Sequence, residues 1–127
     1  MTGIMRIAVL SAALLLPFSE HAFAQCSAPN KFGGKWVAND GGTYHLRRLD
    51  DTLWWVGEAP DWTHIFRGTI DGNTVRGEWA DIYSPGGSGT LTLRVRRADS
   101  GGIVLLERIG SSGDGFAGER WQRPCDD

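Results

Sequence analysis

From Trp36 to Trp121 apolar and polar residues alternate with a period of two, in short runs cut by glycine, asparagine and aspartate. No stretch keeps a helical period, so the elements this pattern predicts are strands. The clearest run is His64 to Asp81, two such segments folded about a glycine turn. A two-residue type II′ turn at Gly72-Asn73, with glycine supplying the positive φ, sets Arg67 against Glu78. A turn at Asp71-Gly72 would instead set Arg67 against Arg76, like charge on like, and a three-residue turn would carry Phe66 to the face of Glu78. The first register is therefore expected. It gathers His64, Phe66, Gly68, Ile70, Val75, Gly77, Trp79 and Asp81 on one mostly apolar face, which points inward.

The same reading gives a first strand around Trp36, then Thr43–Leu49, Thr52–Gly57, the two arms of the central hairpin, Gly89–Arg97, Ile103–Ile109 and Phe116–Trp121. An even count, hairpin-length connections and glycine-rich turns predict an all-β, eight-stranded antiparallel up-and-down barrel rather than a sandwich. Gly57, Gly68, Gly77 and Gly118 supply the bends that a small barrel needs, and closure removes exposed strand edges. Connections at one end are longer (Asn39–Gly42, Glu58–Trp62, Ile82–Ser88, Gly110–Gly115) than at the other (Asp50-Asp51, Gly72-Asn73, Ala98–Gly102). The expectation is a tight floor and an elaborated mouth, where function concentrates.

The segment before the strands changes the picture of where this barrel works. Arg6, the apolar run Ile7–Phe18 and the small-x-small site Ala22-Phe23-Ala24 read as a secretory signal peptide over residues 1–24. The apolar run is shorter than the roughly 20 residues of a membrane span. Residues 25–127 are then one exported barrel domain, periplasmic or secreted, expected as a monomer. Net charge is −2 with no basic block, which argues against nucleic acid or an anionic membrane as partner. Cys26 and Cys125, near opposite ends of that domain, are expected to pair in an oxidising compartment. Closing a loop of about 100 residues contributes about 4.7 kcal/mol in the chain-entropy model. No Cys-x-x-Cys or clustered histidine is present, so no metal site or cofactor is expected.

Gly33-Gly34-Lys35-Trp36 provides a G-x-W at the start of the first strand, and Arg120 falls near the end of the last. The pair resembles the signature of the calycins, the lipocalin and avidin group of small barrels. That resemblance implies that Arg120 packs over Trp36 at the closed end, a structural cation–π contact of about 0.5–2 kcal/mol. A longer stretch, Trp36-Val37-Ala38-Asn39-Asp40-Gly41-Gly42-Thr43-Tyr44 with Trp54-Trp55-Val56-Gly57 and Gly77-Glu78-Trp79-Ala80-Asp81, looks like a group of uncharacterised bacterial W-x-x-N-D-G-G-x-Y domains. It supports the architecture and implies no reaction.

Candidate chemistry gathers at the mouth. His64 and Asp81 face each other there, a pair able to orient a general base or grip a polar ligand group. No serine elbow, metal spacing or phosphate loop accompanies it. Inward parity adds Tyr44, Trp55 and Trp79; the long loops add Trp62 and Tyr83. The leading reading is a non-enzymatic module holding a small apolar or aromatic molecule, or a secreted protein, through Tyr44, Trp55, Trp62, His64, Trp79, Asp81 and Tyr83. Its rivals are a barrel-shaped protein resembling periplasmic protease inhibitors and an enzyme using His64 and Asp81. Trp54 and Trp121 are expected to point outward, and an exposed Trp54 or Trp62 could stack on a sugar face.

Overall fold

The computed structural model describes residues 28–83 and 85–124; the signal segment, Cys26 and Cys125 lie outside them. Eight strands follow in order: β1 (Gly34–Ala38), β2 (Thr43–Leu49), β3 (Thr52–Ala59), β4 (Trp62–Asp71), β5 (Thr74–Asp81), β6 (Ser88–Arg97), β7 (Ile103–Gly113) and β8 (Arg120–Gln122). Each pairs antiparallel with the next and β8 returns to β1, so the sheet is a closed barrel. Among the described residues there is no helix, and hence none long and apolar enough to cross a membrane.

The central hairpin has the expected register, with Arg67 opposite Glu78, Phe66 opposite Trp79 and His64 opposite Asp81. Gly72 has φ 62° and Asn73 keeps a negative φ, the type II′ pattern. Inward positions form layers across the strands. Near the mouth Tyr44, Gly57 and His64 stand abreast, and below them Leu46, Trp55, Phe66 and Trp79. Lower still, Leu53 and Leu91 flank the directly paired Gly68 and Gly77, and Val75 pairs with Leu93. Glycines make room for the rings: a Cβ at Gly57 would lie 2.5 Å from the Tyr44 ring. The interior is filled, with Trp36, Trp121, Tyr44, Phe66, Leu53, Leu91 and Leu106 fully buried. Each such side chain contributes about 1.5–3 kcal/mol through burial.

Three sequence expectations are corrected. The connection Glu58–Trp62 is a two-residue turn, Pro60-Asp61, because Ala59 and Trp62 still pair; Trp62 is a strand residue whose ring lies against Gly42 and over His64. Strand β8 begins at Arg120 rather than Phe116, and Trp121 points inward and is fully buried. The cause is Asn39, whose Oδ1 accepts from the consecutive amides of Glu119 (2.7 Å) and Arg120 (2.8 Å). Neighbouring N–H groups aimed at one acceptor break the alternation, so parity resets before Trp121. Finally, Arg123 and not Arg120 packs over Trp36, its guanidinium carbon 4.4 Å from the ring centroid. Strand β8 runs from mouth to floor, so Arg120 enters it at the mouth end, opposite Glu107 of β7, and the residue that reaches the level of Trp36 is three positions on.

Candidate functional site

At the mouth, the segment Asn39-Asp40-Gly41-Gly42 with Tyr44 acts as a latch. Asn39 holds the start of β8; Asp40 accepts from Gly42 N through Oδ1 (2.9 Å) and from the Tyr44 hydroxyl through Oδ2 (2.5 Å). Gly41 takes φ 85°, which a side chain would oppose, and Gly42 leaves the space that the Trp62 ring occupies, since a Cβ there would meet that ring at 2.4 Å. In this chain the W-x-x-N-D-G-G-x-Y stretch forms the turn that locks β1 and β2 to β8 and the core. Burial first, then the hydrogen bond and charge of Asp40, hold the Tyr44 phenol well above its ordinary range.

Under this latch, five of the seven predicted ligand residues converge on one point. His64 is buried and stacks under Trp62, with centroids 5.1 Å apart and planes within 9°. Tyr44, Trp79 and Phe116 surround it at 5.5, 6.0 and 4.8 Å. Trp55 donates its indole N–H to His64 Nε2 at 3.0 Å, so Nε2 is unprotonated and the imidazole is neutral with its proton on Nδ1. Burial lowers the His64 pKa to about 4, against the opposing pull of Asp40 and then Asp81. The indole N–H groups of Trp79 and Trp121 are buried with no partner among the described residues.

His64 and Asp81 are register partners, yet no hydrogen bond joins them. Asp81 is committed to its own loop: Oδ2 accepts from Gly87 N at 2.7 Å, and its backbone N donates to Gly87 O at 2.8 Å. Asp114 holds the other side of the same loop by accepting from Ser88 N at 2.9 Å. This fold-back leaves a cleft of about 500 Å³ between the start of β4 and the loop after β5. Trp62 and Tyr83 supply its rings, and Asp61, Asp81 and Asp114 its carboxylates. Tyr83 is 69% exposed, the most exposed of the large hydrophobic side chains among the described residues.

The structure therefore divides the predicted set. Trp62, Asp81 and Tyr83 line the cleft; Tyr44, Trp55, His64 and Trp79 form the packed layer beneath it. Sequence reasoning missed Asp61 and Asp114. The signal for Asp61 was the Pro60-Asp61 pair, a turn dipeptide read there as part of a longer loop; Asp114 carried no local signal. No cluster of three or more metal-ligating side chains occurs among the described residues. Comparison with known proteins brings no relative: no family model matches the chain, and no curated protein or solved structure matches it significantly.

Proposed function

We propose that the protein is an exported, non-enzymatic binding module that holds a small aromatic ligand in the mouth cleft, between Trp62 and Tyr83. The observation that carries this reading is that the exposed Tyr83 and the half-buried Trp62 line one cleft of about 500 Å³, a volume within the range of small-molecule sites. The carboxylates of Asp61, Asp81 and Asp114 at its edge favour a ligand carrying N–H or O–H donors, or a positive charge. The packed layer under the cleft supports a rigid floor for the ligand rather than a deep calyx. An enzymatic reading has less support: the His64 Nε2 lone pair is occupied by Trp55, and the histidine lacks a carboxylate to orient it. The calycin likeness, a monomeric state, export to the periplasm or beyond and a Cys26–Cys125 bond belong to the same proposal; the bond would tie the two chain ends together at the floor.

The test is a fluorescence titration of the mature protein with a panel of small aromatic amines and phenols. Saturable quenching that disappears in Trp62→Phe and weakens about tenfold in Tyr83→Ala supports the cleft. Quenching by no member of the panel, or quenching indifferent to both changes, removes it.

A further inference from the structure

The outer wall carries a second depression, on a different part of the barrel. Register sets Arg47, Trp54, Arg67, Glu78 and Thr90 side by side across β2 to β6, and one row nearer the floor Thr69, Arg76 and Thr92. Inward side chains normally hold a barrel wall off its axis. Behind this row the inward positions are Gly68 and Gly77, and a Cβ at Gly77 would stand 2.0 Å from the Arg67 carbonyl oxygen. Both glycines lie at the base of a groove of about 690 Å³ between the outward side chains of β3 to β6. It runs on into a second hollow of about 490 Å³ that reaches Trp54 and Ile65.

The side chains along this groove are poised rather than spent. Trp54 is 41% exposed, and the Arg67 guanidinium carbon lies 5.9 Å from its ring centroid. Arg67 and Glu78 approach only to 4.0 Å, at 62% and 73% side-chain exposure, so their attraction is screened. The row thus offers an apolar ring face, then a donor, then an acceptor, then a hydroxyl, at the strand spacing of about 4.8 Å. That spacing is close to the length of one hexose unit in an extended chain. The strands that form the groove, β3 to β6, are each paired on both sides, so it offers no strand edge to a peptide.

We propose that this outer groove binds a carbohydrate chain. The C–H face of one sugar stacks on Trp54; Arg67 donates to, and Glu78 accepts from, hydroxyls of that sugar and the next, and the threonines of β4 and β6 hydrogen-bond along the rest. The site is separate from the mouth cleft and does not depend on it.

The experiment incubates the mature protein with insoluble cellulose, chitin and peptidoglycan, and titrates it with soluble oligomers of glucose and N-acetylglucosamine. Wild-type protein should bind at least one of them, Trp54→Ala should weaken that binding at least tenfold, and Glu78→Gln should weaken it several-fold. Trp62→Ala, at the mouth, should leave it within twofold; circular dichroism confirms that each variant is folded. Binding to none of these polymers, or binding that survives Trp54→Ala, overturns the proposal. So does a concentration-dependent dimer abolished by Trp54→Ala, which would assign the face to a second copy of the chain.

Discussion

The two ends of the barrel are built from the same materials and finished differently. At the floor, Trp36 donates its indole N–H to the Phe32 carbonyl (2.8 Å), and Arg123 covers the ring. The Arg123 guanidinium in turn donates to the carbonyls of Lys31, Gly33 and Ile103. Its donors are thus turned to chain that crosses the end of the barrel, and Phe32 is buried with it. At the mouth, a comparable aromatic layer around His64 lies under the latch and Trp62, and a cleft opens beside them at the loop after β5. Buried rings alone therefore do not mark a binding end. What differs is that the floor's polar groups are covered by chain, whereas at the mouth Asp81 and Asp114, although each accepts from a backbone amide, also line an open cleft.

The largest expected effect tests that asymmetry directly. Trp36→Ala should cost about 3–5 kcal/mol in denaturant unfolding, and Trp62→Ala about half as much, because Trp62 is only partly buried. Equal losses would mean the mouth is as much a structural plug as the floor. Next in size is pH. Burial holds the folded-state pKa of His64 at about 4, whereas the unfolded chain titrates near 6.5. The unfolded state takes up its proton first, so this contribution is complete above pH 6.5 and is lost as pH falls toward 4, by about 3 kcal/mol at most. His64→Gln, which keeps an acceptor for Trp55, should flatten the stability profile between about pH 6.5 and 5; an unchanged slope would show that His64 is not the group responsible.

Smaller effects separate the two arginines of the last strand region. Arg123→Met should cost about 1–3 kcal/mol, since it strips donors from partly buried carbonyls and a cation from Trp36. The exposed Arg120, replaced in the same way, should change stability by less than about 0.5 kcal/mol. Equal sensitivity would restore Arg120 to the role that the calycin resemblance implied. Asn39→Ala is expected to cost about 1 kcal/mol and to raise amide exchange at Glu119 and Arg120 while leaving the floor protected.

Local chemistry carried most of the fold. Gly72 and the like-charge conflict of Arg67 with Arg76 were enough to choose a register, and that register set the pairing from His64 to Asp81 correctly, although the sequence pattern puts Trp62, the first residue of β4, in the loop. It failed at β8, where Asn39, some eighty residues earlier in the chain, captures two amides and turns Trp121 into the core. The site divided in the same way. The convergence of Tyr44, Trp55, His64 and Trp79 followed from parity, but parity cannot say whether converging rings touch or leave a gap. Asp114 reaches the mouth because Gly113 pairs with Gly89, a contact that no local pattern announces.

The sequence by itself determined the strand alternation and the hairpin register, since both follow from steric and turn preferences acting over a few residues, and the strand count with its short connections pointed to a closed barrel. Tertiary structure alone decided that the interior is solid, that His64 is neutral and occupied, that Arg123 caps the floor, and that a groove lies over Gly68 and Gly77 on the outer wall. Those outcomes depend on how volumes and polar groups from distant strands meet once the barrel has closed, and close packing leaves no way to read them one strand at a time.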